Sequence, residues 1–491
     1  MEFGTLNTTI LIVYLLAMLG VGFFFSKRQR TSEDFYLAGR SLPWWPVAMS
    51  MYASVTSAST YLVLPSKAYA ENISMIVASL ISPLVAPLLI FVFYPVYRRM
   101  RVTTSYEYIG QRFGPVARQA VAAMFVLARI GWLGTVLYAP SLALSVTTGW
   151  SLTACILALG IVSTAYTVMG GLSAVVWTDV IQFVILVVGA FWVLTKLLIT
   201  VPGGAPAIWQ TAAEAGRLSV FDLRLGEGGG LFSGIFLHMS IWSVALHMSL
   251  SMCHEYGTDQ ITVQRLMAVR DDRGVTKVIL FNAATDFILI AVLLSIGLGL
   301  LAFYKTVGGG LPELASADGI LPYYIRHNLP AGVAGLVVTA ILAAAMSSVD
   351  SGLNSIATVI GVDLVRPWRR SRGSDGGEIT FARWMTVALG IIATGVAFIM
   401  ADIKDILDGF TQVTSMFSAP VLALFILGML WKRTSFVAWL GSLAVVPPVM
   451  SWINTATGVN WSWRFPMSFA LSVLVTVILT QVHSILLQKK G

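Results

Sequence analysis

The stretch AMSMYASVTSASTYLVL, residues 48–64, governs how this chain reads. It lies between Pro46 and Pro65 and sets Ser50, Ser54, Thr56, Ser57, Ser59 and Thr60 into an otherwise apolar run. Hydroxyl side chains compete with the helical backbone for hydrogen bonds. A helix interrupted near Ala53–Ser57 would leave carbonyl oxygens free to hold a cation. The other reading is an intact helix whose small residues pack closely against neighbours.

The surroundings of that stretch are those of a membrane chain. Of 491 residues, 57% are hydrophobic and 11% charged, and the mean hydropathy is +0.81. A soluble chain carries about 25% charged residues. Stretches near the ~20 residues that span a bilayer fall at 7–26, 43–66, 73–97, 118–146, 151–169, 175–199, 230–253, 276–304, 331–365, 381–401, 406–430, 434–453 and 465–487. Helices are expected, because lipid offers the backbone no partner, and the alternation of a membrane barrel is missing. The expectation is an all-α polytopic protein of about 13 transmembrane helices. It forms one integral domain over 1–491, with no appended module and no cleavable leader. The polar stretches 200–229 and 305–330 are loop-sized.

Placing the N-terminus outside puts 22 of the 31 Lys and Arg in inner loops and eight outside, with Arg129 in mid-span. That asymmetry favours an outer N-terminus and an inner C-terminus in the cell membrane. It also accounts for the net charge of +8 without a nucleic-acid partner. Cys155 and Cys253 lie in apolar segments, so no disulfide framework is expected.

The ninth span carries the second signal, ILAAAMSSVDSGLNS over 341–355. Ala344, Ser347, Ser348 and Ser351 recur at i, i+3, i+4 and i+7, one face of a helix. Asp350 sits near mid-bilayer, where a charge costs at least ~2.5 kcal/mol. Small-residue packing explains the alanines but not this acid. Hydroxyls and a carboxylate are hard ligands, suited to an alkali cation. Asp179, within VVWTDVIQ, is a second carboxylate, about a turn from the inner end of its span. It either caps or snorkels there, or reaches Ser347 and Ser351 to complete a second cation site. Arg129 requires a carboxylate or a carbonyl cluster. It either binds an anionic solute or pairs with an acid such as Glu255. SMCHEYGTDQ ends the seventh span, and Glu255, Tyr256 and Gln412 are candidates to line a solute pocket. For His254 the reading as a helix-end residue prevails.

The motifs FYLAGRSLPWW, GGLSAVVWTDVIQ, DQITVQRLMA, AAAMSSVDSGLNS and SAPVLALFILGMLWKR, in that order, resemble the sodium:solute symporters. That family includes carriers of glucose, sialic acid, monocarboxylates, iodide and multivitamins. LYAPSLAL together with VVWTDVIQ is most similar to the monocarboxylate, iodide and vitamin branch. The resemblance implies a leucine-transporter-type core of two inverted five-helix repeats, 43–199 and 230–430. One helix precedes them (within 1–42) and two follow (434–491). It implies a main sodium site of Ala53, Thr56 and Ala344 carbonyls with Ser347 and Ser348 hydroxyls. A possible second site has Asp179, Asp350 and Ser351 around it, so one or two sodium ions are expected. The family usually has a small residue where Asp350 stands. Substrate positions map to Ser57, Thr60, Met252, Tyr256 and Gln412, beside Arg129, Trp132 and Glu255. Val55 and Trp132 depart from the sialic-acid carriers, and Met252 from the sugar carriers.

The function expected from the resemblance is import of a small organic solute (a monocarboxylate, sugar or vitamin-like molecule) with sodium, by alternating access. The lipid bilayer and the solute are the expected partners, and the protein is a monomer or loose oligomer. A proton-coupled symporter is the alternative, since Asp179, Asp350 and Glu255 are able to titrate. A transporter-like sensor would need an output domain. An enzyme would need a metal-ligand or nucleophile–base cluster, and no such set stands in a span.

Overall fold

The computed structural model describes residues 4–488 except 28, 30, 221–235, 237–239, 315, 372–376 and 403–405, with side chains described except at 369–371, 401–402, 406–416 and 483–488. Among the described residues, nine helices are long and apolar enough to cross a membrane, and a bent pair makes a tenth crossing. In chain order the elements begin with α1 (Thr5–Ser26), the bent pair α2 (Trp44–Val55) and α3 (Ala58–Ala70), and α4 (Ile76–Met100). A short α5 (Tyr106–Phe113) leads to α6 (Pro115–Thr148) and α7 (Leu152–Thr200). Then come α8 (Ile241–Gly257), α9 (Gln260–Ala268), α10 (Asp272–Thr306) and α11 (Val333–Trp368). The last four are α12 (Glu378–Asp402), α13 (Ile406–Leu430), α14 (Phe436–Thr457) and α15 (Trp461–Gln488).

The stretches expected at 151–169 and 175–199 are two helices joined at a kink within the 49 residues of α7. A straight helix of that length would run ~73 Å at about 1.5 Å per residue, more than twice the ~30 Å of hydrocarbon. Gly171 interrupts it at φ 54°, ψ −154°. A Cβ there would lie 2.7 Å from the Phe35 carbonyl oxygen, so this position requires glycine on two counts. The span expected at 230–253 is described as a helix from Ile241 onward. The polar stretches read as loops contain short helices at Gly204–Glu214 and Ile320–Asn328.

α11 is the enclosed axis of the molecule. Its most apolar window is 89% buried, against 22% for α1 and 33% for α7. Ala343, Ala344, Ala345 and Gly352 give it a narrow profile, which lets other helices approach. α1, α2, α6 and α7 all pack on it. Polar residues along this helix are therefore met by protein on every side, which is the only place a membrane helix tolerates them.

Candidate functional site

The serine-rich stretch breaks where its composition indicated. α2 and α3 meet at 63°. Thr56 (φ −81°, ψ 97°) and Ser57 (φ −79°, ψ 165°) are extended between them. The Ser57 hydroxyl caps α3 by accepting from the Thr60 N–H at 3.4 Å, so the side-chain competition that predicted the break also closes it. The reading as an uninterrupted helix is set aside.

A helix end leaves its last carbonyls without intrahelical partners. Those of α2 face the hydroxyl stripe of α11. Ser347 Oγ lies 2.8 Å from the Ala53 carbonyl oxygen and 3.1 Å from that of Ala344. Ser348 Oγ lies 3.1 Å from the Ser54 carbonyl oxygen and 3.3 Å from that of Ala344. Ala53, Ser54, Thr56, Ala344, Ser347 and Ser348 are all buried. Residues 294 apart in the chain thus converge on one point lined by hydroxyl and carbonyl oxygens. Such hard, uncharged donors suit an alkali cation and would bind a soft metal poorly. The Ser54 carbonyl was not singled out from the sequence; Thr56, which was, lies in the break itself.

One turn away stands a charged cluster. Asp179 Oδ2 accepts from Ser50 Oγ at 2.6 Å, Ser54 Oγ at 3.2 Å and Arg265 Nη2 at 3.0 Å. Arg265 also donates to Ser50 Oγ at 2.9 Å, to the Ile261 carbonyl at 3.0 Å and to Ser351 Oγ. Asp350 Oδ2 accepts from the Tyr166 hydroxyl at 2.6 Å, and its Oδ1 from Ser351 Oγ at 3.1 Å. The sequence brought Asp179, Asp350 and Ser351 together as a possible second cation site, and the structure does join them. It also puts a guanidinium among them. Arg265, one of the 22 Lys and Arg placed in inner loops by the charge count, is only 1% exposed and lies enclosed among helices. With both acids ionised the cluster carries two negative charges against one positive. Asp179 Oδ1 is buried with no hydrogen-bond partner among the described residues.

Ser54 links the two places. Its carbonyl meets Ser348, while its hydroxyl bonds Ser351 Oγ at 2.8 Å and approaches Asp179.

Arg129 pairs with an acid inside the protein, but the partner is Asp259, not Glu255. The guanidinium also stacks 4.5 Å from the Trp132 ring. Asp259 caps α9 through the Ile261 N–H at 2.9 Å, so its carboxylate is positioned by the turn after α8. Arg129, Trp132, Glu255, His254 and Asp259 line a cavity of about 230 Å³ between α6, α8 and α13. A Cβ built on Gly352 of α11 would lie 3.3 Å from the Trp132 ring, so this tryptophan also reaches the helix bearing the serines. Ser57 and Thr60 stand at the break. Tyr256 is buried, with its carbonyl accepting from the Tyr94 hydroxyl, and Met252 packs against the core. Gln412 lies outside the residues whose side chains are described.

The model of the sodium:solute symporter family matches residues 35–443. A sodium/sialic acid symporter of Aliivibrio fischeri is 29% identical over 477 residues, 96% of this chain and 92% of that protein. One of Proteus mirabilis is 30% identical, covering 88% and 86%. Sodium-coupled monocarboxylate transporter 2 of Homo sapiens is 30% identical, covering 91% and 73%. The solved structure of a sodium-coupled sialic acid symporter, substrate-bound and outward-open, superposes with TM-score 0.90 over 98% of both chains at 26% identity. A nucleobase–cation symporter shares the fold at TM-score 0.54 and 12% identity. With a helix broken beside the serines of an enclosed partner, and these matches along its length, this chain belongs to the sodium:solute symporter family and has its leucine-transporter-type fold.

Proposed function

We propose that the chain imports a small organic monocarboxylate with one sodium ion, held where the α2–α3 break meets Ser347 and Ser348. The observation that carries this reading is the convergence of those two hydroxyls on the Ala53, Ser54 and Ala344 carbonyls. Electrostatics supports a single ion. With both acids ionised the Asp179–Arg265–Asp350 cluster is one negative charge in excess, and one sodium bound beside it through Ser54 then makes the buried region neutral, which a low-dielectric interior favours. Arg265 then supplies, as a tethered cation, the charge that a second sodium would bring.

The solute lies at the other side of the break. The N-terminus of α3 offers amide N–H groups and the hydroxyls of Ser57 and Thr60, and half-helix N-termini suit anionic solute groups. Arg129 is occupied by Asp259 and is not the anion receptor. The relatives named above carry sialic acid or monocarboxylates, which share a carboxylate group. Residues 43–199 and 230–430 act as the two repeats that alternate access, with the N-terminus outside and the C-terminus inside. One sodium carried with one carboxylate anion moves no net charge, so the sodium concentration gradient drives accumulation: a ten-fold gradient supplies about 1.4 kcal/mol, roughly ten-fold solute accumulation.

Proteoliposomes containing the purified chain test this. Monocarboxylate uptake should require sodium on the solute side, rise hyperbolically with sodium and move one sodium per turnover. Uptake driven by a pH gradient without sodium would overturn it in favour of proton coupling.

A further inference from the structure

A cavity of about 600 Å³, sharing no lining residue with the proposed sodium site, lies where the end of α4 meets the connections into α2 and α10. Five arginines line it: Arg40, Arg98, Arg99, Arg101 and Arg270. The preference of cationic side chains for one face of a membrane accounts for arginines on this side. It does not account for their convergence into one cavity.

The backbone builds this convergence. Leu42 and Val269 form an isolated bridge, with the Leu42 N–H donating to the Ala268 carbonyl and the Arg270 N–H to that of Leu42, both at 3.1 Å. Arg40 and Arg101 both have left-handed backbones, at φ 53° and 50°, an uncommon conformation for residues with a Cβ. Arg40 is fixed by Glu33 at 2.9 Å and by the Arg101 and Val102 carbonyls at 2.9 and 3.0 Å. Arg98 is fixed by Asp272 at 2.6 Å and the Val269 carbonyl at 2.8 Å. The side chains of Arg99 and Arg101 are exposed and make no hydrogen bond or ion pair among the described residues. Arg270 is held only loosely, 3.8 Å from Asp271. Against Asp272, Glu33 and Asp271, the five arginines leave two positive charges in excess.

Two features select the source of the anion. An exposed apolar stripe, Leu84, Leu88 and Phe91, descends α4 at helical spacing and arrives at Pro95 in the cavity wall. Trp45, exposed near the start of α2, and Trp44, which receives the Lys277 ammonium at 5.6 Å, mark the depth of a membrane interface. A soluble phosphate would use the arginines but not the stripe. A lipid uses both.

We propose that this cavity binds the phosphate group of an anionic phospholipid from the adjoining leaflet, with its acyl chains along the Leu84–Leu88–Phe91 stripe. Arg98 and Arg40 are the fixed part of the site, and Arg99 and Arg101 close on the phosphate. Because Arg40 and Leu42 lead directly into α2, an occupied site braces the connection to the broken helix.

The test uses the full chain in neutral detergent, with the double variant Arg99→Gln/Arg101→Gln, whose lost side chains bond nothing among the described residues. Retention of phosphatidylglycerol is counted by native mass spectrometry and followed by the shift in thermal unfolding midpoint. Phosphatidylcholine with the same acyl chains and millimolar inorganic phosphate are the comparison arms. Wild type should retain phosphatidylglycerol in preference to phosphatidylcholine, and the variant should bind it about 30-fold more weakly. The unliganded midpoints of the two proteins should agree. Equal retention by variant and wild type, or equal retention of the two lipids, would overturn the site. Stabilisation by inorganic phosphate alone that matches phosphatidylglycerol would overturn the lipid as its source.

Discussion

Replacing Ser348 with alanine isolates the proposed sodium site most cleanly. The substitution removes one oxygen and leaves the α11 backbone and its helix propensity essentially intact. That hydroxyl lies 3.1 Å from the Ser54 carbonyl and 3.3 Å from that of Ala344. Ala344 retains Ser347 as a partner at 3.1 Å, so only the Ser54 carbonyl loses its bond. With sodium bound, the same oxygen is one of five proposed ligands, in a place where no ligand residue is more than 5% exposed. A hydrogen bond to a charged group contributes about 1.5–3 kcal/mol. Taken as the scale for this ligand, that weakens sodium binding about 10- to 150-fold. Sodium-dependent protection against thermal unfolding, with potassium replacing sodium at constant ionic strength, measures this without a transported solute. Ser355→Ala is the control, because Ser355 stands two turns along the same helix and donates only to the Gly352 carbonyl at 3.0 Å. A Ser348→Ala protein that titrates sodium like wild type, or a Ser355→Ala protein that loses the response equally, would refute the reasoning.

Three other outcomes are expected. Arg265→Met alone should destabilise the chain by about 3–5 kcal/mol, since it strips the buried Asp179 of its charged partner; Arg265→Met with Asp179→Asn should recover much of that loss in a denaturant titration of the solubilised protein, and strictly additive losses would deny the pair. Gly171→Ala should cost at least ~1–3 kcal/mol through its positive φ alone, with the Phe35 carbonyl clash added, and an unchanged unfolding midpoint would contradict the α7 turn. Arg129→Gln should lower stability while leaving the sodium titration within about two-fold of wild type, whereas selective loss of solute-induced stabilisation, with fold and sodium response kept, would make Arg129 the solute's anion receptor after all.

The two main sites share one residue, and this bears on coupling. Ser54 gives its carbonyl to the proposed sodium point and its hydroxyl to the Asp179–Ser351 cluster, and it sits at the end of α2. A cation at that carbonyl therefore bears on both the broken helix and the charged cluster. Such a linkage is the kind of differential contact that couples ion occupancy to a change in access.

How much of this was legible beforehand follows from the range of each interaction. The break at Thr56–Ser57 is a local competition between hydroxyls and backbone within one stretch of chain, so composition and bracketing prolines raised it beside the reading of an intact helix, and the structure decided between them. The serine stripe of α11 follows from helical period alone, and its burial from the cost of placing Asp350 in lipid. The membrane class and most span boundaries follow from hydropathy for the same reason. Arg265 and Arg129 were different. An arginine in a short polar helix reads as an inner-loop cation until another element covers it, and Arg265 is covered by α2, α7 and α11, with Ser50 and Asp179 215 and 86 residues away. Asp259 and Glu255 lie one helical turn apart, both available to Arg129 by spacing; only the path of the chain after Gly257 selects Asp259. Charge pairing across a bundle depends on which helices lie side by side, and that is settled by packing, which a one-dimensional pattern does not contain.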